Sequence, residues 1–281
     1  RKGHIIREED IPVLLSVGKD HIYIWENNEN MLHENDAALV LYDMCKNDNM
    51  SPSQIKEGKI ELIAECDGVL KVDTEKLNRI NSLGEMMIAS RHGNFPVKKG
   101  DKLAGMRIIP LVIEKEKMEQ AKEAGGEGQI FKLRKYLHKK VGIVTTGNEV
   151  YHGRIEDTFT PVIKEKLAEF DTEIIGHHVS DDNPERITGY IRELLDEGAD
   201  MIICTGGMSV DPDDKTPLAI RNSGAKVETY GAPVLPGAMF LLSYYNESIP
   251  VLGLPGCVMY AKRTIFDLVL PRLMTGEKVT K

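Results

Sequence analysis

The chain has 281 residues, 41% of them hydrophobic, and a net charge of −8, enough apolar material for a sizeable core and for two domains. Basic and acidic residues balance at 23 each in residues 1 to 140, whereas residues 141 to 281 hold 13 basic against 21 acidic, which argues against nucleic acid, whose binding depends on basic clusters. No apolar run approaches the roughly 18 to 20 residues that span a bilayer and no signal-peptide pattern opens the chain, so a cytoplasmic protein without a membrane partner is expected.

Residues 4 to 17 place Ile11, Leu14 and Leu15 at helical spacing before Gly18, which predicts a short helix. His21 to Glu26 reads as a strand, and Asp36 to Lys46 as a helix with Ala38, Leu41 and Cys45 on one stripe. From Lys59 to Cys66 apolar and polar residues alternate, and Asp67-Gly68 precedes Val69 to Val72. That pattern predicts a hairpin, because Asp-Gly tolerates the positive φ of a tight turn. A helix from a Thr74 cap to Asn81 follows, then strands at Met86 to Ala89, Pro96 to Leu103 and Arg107 to Ile113. The turn pattern resembles the barrel-sandwich hybrid of lipoyl-like domains, and the unit reads as structural or as a subunit contact. Glu114 to Gly128 is rich in Glu, Lys, Ala and Gly with little apolar content, which predicts an exposed helix or linker. The expected division is therefore a β-rich α+β domain over 1–128 and an α/β domain over 129–281, with Ile130 to Tyr136 opening the second.

The second half alternates cleanly. Strands are predicted at Val141 to Val144, Thr172 to Val179, Met201 to Cys204, Lys226 to Thr229 and Val251 to Leu254. Helices are predicted at Thr160 to Phe170, Pro184 to Glu197 (capped by Asn183 and ended by Gly198), Pro217 to Ser223 (capped by Thr216) and Val258 to Met274. Such alternation implies a mostly parallel sheet covered on both faces. Gly231 to Tyr245 breaks the pattern and is expected to hold a loop and an irregular or antiparallel strand. Cys45, Cys66, Cys204 and Cys257 show no CxxC pair, which fits reduced thiols and neither zinc nor a disulfide framework.

Three strands end in glycine turns: Thr146-Gly147, Gly206-Gly207 and Pro255-Gly256. Parallel strands deliver such turns to one edge, where ligands of α/β sheets bind. The same edge would gather Glu149, Asp181, Asp182, Asp214 and Asp157, with the hydroxyls of Thr146 and Ser209. Carboxylates beside glycine turns suit a phosphorylated ligand held with Mg²⁺, which prefers hard oxygen donors. Acids also cap helices, so Asp157 and Asp182 read equally well as caps. Glu149, lying in a turn with no helix to cap, and Asp214, preceding the Thr216 cap, read as functional. GxGxxG and GxxxxGK[ST] are absent, which disfavours dinucleotide and P-loop sites.

TTGNEV at 145–150, the Asp181-Asp182 pair, TGGMSVDPDDKT at 205–216 and LPG at 254–256 together resemble the molybdopterin-binding domain of molybdenum-cofactor biosynthesis proteins. That family includes molybdopterin adenylyltransferases, molybdenumtransferases and the related domain of competence-damage proteins. The resemblance implies a three-layer α/β domain that binds molybdopterin, free or adenylylated, with Mg²⁺, in a homo-oligomer that draws on ATP or AMP and docks to a molybdoenzyme. It assigns Asp214, Asp181 and Glu149 to catalysis, with Asp214 and Glu149 as metal ligands, and assigns Thr146, Gly147, Gly206, Gly207, Ser209, Pro255 and Gly256 to the ligand-cradling turns. The chain departs from the family pattern in Cys257-Val258 after the last glycine, in Thr158-Phe159 after Asp157 and in the lack of a lysine within Val234 to Met239. Three activities fit this mixture of features: a transferase, a non-catalytic carrier or sensor, and a nucleotide pyrophosphatase of the competence-damage kind.

Overall fold

A computed structural model describes residues 6–21, 28–208 and 214–280. Most of the expected strand His21 to Glu26, together with Ser209, Asp211 and Asp213, lies outside the described residues. In the first half α1 (Ile11–Ser16) is followed by β1 (Met31–His33), α2 (Glu34–Cys45), β2 (Met50–Pro52), β3 (Ile60–Ala64), β4 (Gly68–Val72) and α3 (Thr74–Asn81). Then come β5 (Met86–Ser90), β6 (Pro96–Val97), β7 (Lys102–Ile108), β8 (Val112–Glu114), α4 (Lys115–Gly125) and β9 (Phe131–Lys135). The strands form a four-stranded sheet, β2-β3-β7-β5, a three-stranded sheet, β6-β4-β9, and a β1-β8 pair. Alternation along β3 puts Ile60, Leu62 and Ala64 into a core shared with Leu41, Leu70, Met106 and Phe131.

Three expectations for this half are corrected. β3 and β4 do not form a hairpin: they lie in different sheets. Asp67 does not close a turn between them; its carboxylate accepts the Lys99 N–H at 2.7 Å and meets Lys98 Nζ at 3.0 Å, so the chain crosses from one sheet to the other. Gly68 is required for another reason, since a Cβ there would sit 2.2 Å from the Arg134 carbonyl on β9. The stretch 114–128 takes the helical of its two expected forms, but one face of that helix is buried rather than exposed. Met118 and Ala121, three apart on α4, are fully buried against the first core, and Gly126 ends the helix at a φ of 60°. The strand expected to open the second half, β9, pairs with β4 and buries Phe131 and Leu133 in the first core.

The second half contains β10 (Lys139–Thr146), α5 (Asn148–Tyr151), α6 (Phe159–Leu167), β11 (Thr172–Ser180), α7 (Pro184–Asp196), β12 (Met201–Thr205) and α8 (Thr216–Asn222). It closes with β13 (Lys226–Tyr230), β14 (Leu241–Tyr245), β15 (Ile249–Leu254) and α9 (Ile265–Met274). The six strands are ordered β11-β10-β12-β15-β14-β13, with the first four parallel and β14 antiparallel to both its neighbours. Successive residues point to opposite faces, so Val141 and Ile143 pack with α6 and α9 while Val144 packs with α7 and α8. The result is a three-layer α/β domain with a mostly parallel sheet beside a β-rich α+β half, as the sequence implies. The closing helix is shorter than expected. Gly256–Met259 forms a 3-10 turn, and Thr264 restarts the chain through a capping box in which Asp267 Oδ2 accepts the Thr264 N–H at 2.7 Å.

The halves are joined by a Leu137 N–H bond to the Met274 carbonyl at 2.8 Å and by Glu277. Its Oε1 lies 2.7 Å from Lys71 Nζ and 2.6 Å from Arg272 Nη2. No helix of the described residues is long and apolar enough to cross a membrane.

Candidate functional site

Strand register brings the turns to one level. Thr146 stands opposite Ser180, Thr145 opposite Thr205, and Thr205 opposite Leu254, so the chain leaves β10, β11, β12 and β15 along a common rim. Gly147, at a φ of 138°, donates its N–H to the Ser180 carbonyl at 3.0 Å. The turn then tightens into α5, so Glu149 is a helical residue and not the turn residue expected from sequence.

The carboxylates gather around Asp182. Its Oδ2 accepts the Asn148 N–H at 3.1 Å. Burial pushes its pKa up, and the proximity of Glu149, Asp214 and Asp181 adds to the rise against that one hydrogen bond. Three of the acids singled out by sequence therefore act on a fourth. Asp181 is held from both sides: its Oδ1 accepts the Asn183 N–H at 3.3 Å, and its Oδ2 lies 3.3 Å from Arg186 Nη1. The same guanidinium donates to the Tyr151 hydroxyl at 2.7 Å and lies 5.3 Å above that ring, which ties α5 to α7. Sequence reasoning missed Arg186 and Tyr151. Their only signal is the placement of Arg186 in the first turn of α7, beside the end of β11.

Asp157 is a cap. Its Oδ1 accepts the N–H groups of Phe159 and Thr160 at 2.9 and 3.0 Å, and its Oδ2 accepts from the hydroxyls of Thr160 and Thr145. Burial raises its pKa, but these bonds and His177 outweigh burial and hold it below the usual carboxylate value. His177, which nothing in the sequence marks, closes this group with Nε2 at 3.0 Å from Thr160 Oγ1, and burial pushes its own pKa down.

The glycines divide into two kinds. Gly206, at a φ of 83°, would place a Cβ 2.1 Å from the Thr146 carbonyl, and Gly207, at 54°, would place one 2.8 Å from Thr216 Oγ1. Both are glycine because the chain just after β12 approaches Thr146 of β10 and Thr216 of α8 too closely for a Cβ. Gly256 has no such reason: its φ is ordinary and a Cβ there would meet only Phe159, at 3.9 Å. Pro255 starts the turn and accepts the Val258 N–H at 3.1 Å. The Thr146 hydroxyl is directed inward, donating to the Thr205 carbonyl at 3.2 Å and lying 2.9 Å from Thr216 Oγ1. Thr216 is the buried first residue of α8, with Lys215 in the cap position expected for Thr216. Among the described residues, buried Thr205 Oγ1 has no hydrogen-bond partner. Cys257 is half-buried in the 3-10 turn, whereas Cys204 is fully buried and its thiol is pushed up to about 12. Among the described residues no group of three or more His, Cys, Asp or Glu side chains is placed to hold a metal ion.

A family model described as "Probable molybdopterin binding domain" matches residues 142–275, and a model described only as a domain of unknown function matches residues 1–26. A CinA-like protein of Mycobacterium avium (strain 104) is 38% identical over 77 residues, which is 27% of this chain and 18% of that protein. A protein of Bacillus velezensis, named as competence-damage inducible, is 36% identical over 87 residues, 31% of this chain and 21% of the relative. The chain thus spans about a fifth of the length of the curated relatives it matches. Among solved structures, the molybdopterin biosynthesis enzyme MoaB of Thermus thermophilus is 26% identical with a TM-score of 0.40, covering 50% of this chain and 98% of that one. The matched segment runs from Gly142 on β10 to Thr275 just after α9, so it contains every turn of the rim. Residues 142–275, a little under half of the chain, are therefore similar to molybdopterin-binding domains.

Proposed function

We propose that the protein binds molybdopterin, free or adenylylated, along this rim and acts in molybdenum-cofactor maturation by adenylyl transfer or molybdenum insertion. The observation that carries the reading is the convergence of four strand-end turns with Glu149, Asp181, Asp182 and Asp214, inside the segment that matches the molybdopterin-binding family. Mg²⁺ fits this donor set, because it binds through one or two carboxylates and takes its other oxygens from phosphate and water, so three protein ligands are not needed. Glu149 and Asp214 would hold it. Bound there, the ion supplies neutralisation of the charge that develops on a transferring phosphoryl group. Asp181 orients the site through Arg186, which fixes α5 and with it Glu149. Gly256 leaves the main chain open to the ligand, since no neighbour occupies the place of its missing Cβ. A cytoplasmic homo-oligomer that uses ATP or AMP and hands its product to a molybdoenzyme completes the proposal.

Relatives named CinA-like and competence-damage inducible favour a second reading, a nucleotide pyrophosphatase. Incubation with molybdopterin, ATP, Mg²⁺ and molybdate, and separately with ADP-ribose and Mg²⁺, separates the readings. AMP transfer or molybdenum insertion is the expected result, and tight binding without product marks a carrier. Hydrolysis of ADP-ribose-like compounds supports the pyrophosphatase, and absence of both binding and turnover overturns the rim as a pterin site.

A further inference from the structure

A cleft of about 690 Å³ opens between the two halves, away from the acidic cluster. This is within the range of roughly 300–1,000 Å³ found for occupied sites. Its apolar wall comprises Phe95 of the first half, Tyr136 at the joint, and Phe170, Tyr260 and Leu268 of the second. Tyr260 is 85% exposed, and Phe95 and Leu268 are close to half exposed. Charges of both signs line the cleft, and Lys98 and Asp101 among them are held by Asp67 and Arg91. Lys262 and Arg263 line it from the loop before α9, and Glu165 and Glu169 line it from α6 and the residues just beyond. Lys166, between the two carboxylates, is committed to Asp267, but none of those four side chains joins an ion pair among the described residues. An apolar trough with free cations on one wall and free acids on another suits an occupant that is itself acidic at one end, apolar in the middle and basic at the other.

The chain carries such a segment. Glu8, Glu9 and Asp10 form a turn that leads into α1, with Arg7 3.7 Å from Glu9 and its N–H bonded to Asp10, and Lys19 follows the helix. No residue of α1 is buried, and Ile11, Val13, Leu15 and Val17 present 47–64% of their surface to solvent. Ile11 and Leu15, four apart, share one side of the short helix and Val13 lies on the other, so α1 exposes apolar surface on two sides, as an interaction element does. None of the cleft's lining residues comes from 6–21, so the segment does not fill the cleft of its own chain.

We infer that residues 8–19 of a second copy of this chain seat in the cleft, with the acidic turn toward Lys262 and Arg263, Lys19 toward Glu165 and Glu169, and the α1 side chains on the aromatic wall. Reciprocal exchange of one identical arm makes a closed two-fold dimer in which each contact occurs twice. Val258 and Met259 also line the cleft, so the seated arm abuts the turn that carries Gly256.

Sedimentation equilibrium of the full chain tests the inference. A concentration-dependent dimer is expected, weakened about tenfold or more by Val13→Asp with Leu15→Asp, and likewise by Lys262→Glu with Arg263→Glu. Glu8→Lys with Glu9→Lys, placed in the same chain as the Lys262→Glu and Arg263→Glu changes, restores association. A labelled peptide of residues 7–19 then binds the full-length Val13→Asp, Leu15→Asp chain and fails to bind when Lys262 and Arg263 are also reversed. These are surface positions, and coincident circular dichroism melts verify folding. A monomeric wild type, a dimer indifferent to the cleft reversals, or a peptide that binds regardless of them overturns the proposal. A cleft that takes up only a small molecule overturns it equally.

Discussion

Gly206→Ala is the sharpest test of why the rim has its shape. A side chain at a φ of 83° costs about 1–2 kcal/mol in a left-handed conformation. The new Cβ would also lie 2.1 Å from the Thr146 carbonyl, a main-chain atom that no rotamer change can move. Relief requires the turn to lift from β10, and that strains two hydrogen bonds of Thr146 Oγ1, to the Thr205 carbonyl at 3.2 Å and with Thr216 Oγ1 at 2.9 Å. At about 0.5–1.5 kcal/mol each, their loss brings the total to about 3 kcal/mol. For a chain of this size the melting temperature should fall by roughly 6–12 °C, measurable by calorimetry. Gly189→Ala is the control, because a Cβ in that part of α7 meets nothing within 4 Å and helix propensity favours alanine. A Gly206→Ala chain that melts within about 2 °C of wild type would refute the packing argument.

Gly256→Ala should leave the melting temperature unchanged yet weaken pterin binding, so calorimetry and titration together separate a glycine kept for ligand approach from one kept for packing. Asp214→Asn should fold normally and lower Mg²⁺-dependent turnover at least about a hundredfold, the scale of one positioned charge in a transition state; steady-state kinetics read it, and unchanged turnover removes Asp214 from the mechanism. Asp182→Asn should stabilise the fold at neutral pH. The folded pKa of Asp182 lies above its ordinary 3.8, so its contribution to stability falls as pH rises through the folded value, and the advantage of the asparagine should vanish as pH drops through that window. Denaturant midpoints across acidic pH decide this, and a constant difference contradicts it. Glu277→Gln should cost about 2 kcal/mol by loosening its contact with Lys71, which joins the halves, and with Arg272, which holds it in place, and a denaturant midpoint equal to wild type excludes that role.

The second half was legible because its signals are local and repeated. Apolar runs closed by Thr-Gly or Pro-Gly, each followed by a helix, reproduce β10, β12 and β15, and their parallel pairing puts Gly147, Gly206 and Gly256 on one rim. What the sequence hid depends on distant partners. Asp67-Gly68 has the composition of a hairpin turn, but Lys98 and Lys99, more than 30 residues away, occupy its carboxylate, and β4 finds β9. Met118 and Ala121 look sparse in an otherwise charged stretch, yet two such residues on one face are enough to seat α4. Val258 to Met274 has helical composition throughout, and only the Thr264–Asp267 box shows where the helix starts. At the site, the acids and glycines were legible as types. The reason for Gly206 and Gly207 was not, because it lies in the approach of a turn to the Thr146 carbonyl and to Thr216. Arg186 and Tyr151 meet across 35 residues, and no spacing announces such a contact.

The central claim is that one rim of the β10-β11-β12-β15 sheet holds the pterin. A crystal structure of the full chain grown with molybdopterin and Mg²⁺ tests it most directly. The account predicts the phosphate beside Gly207 and Gly256, with the ion between it and the carboxylates of Glu149 and Asp214. Pterin bound elsewhere, in the cleft between the halves for example, or a rim left empty at saturating ligand, contradicts it.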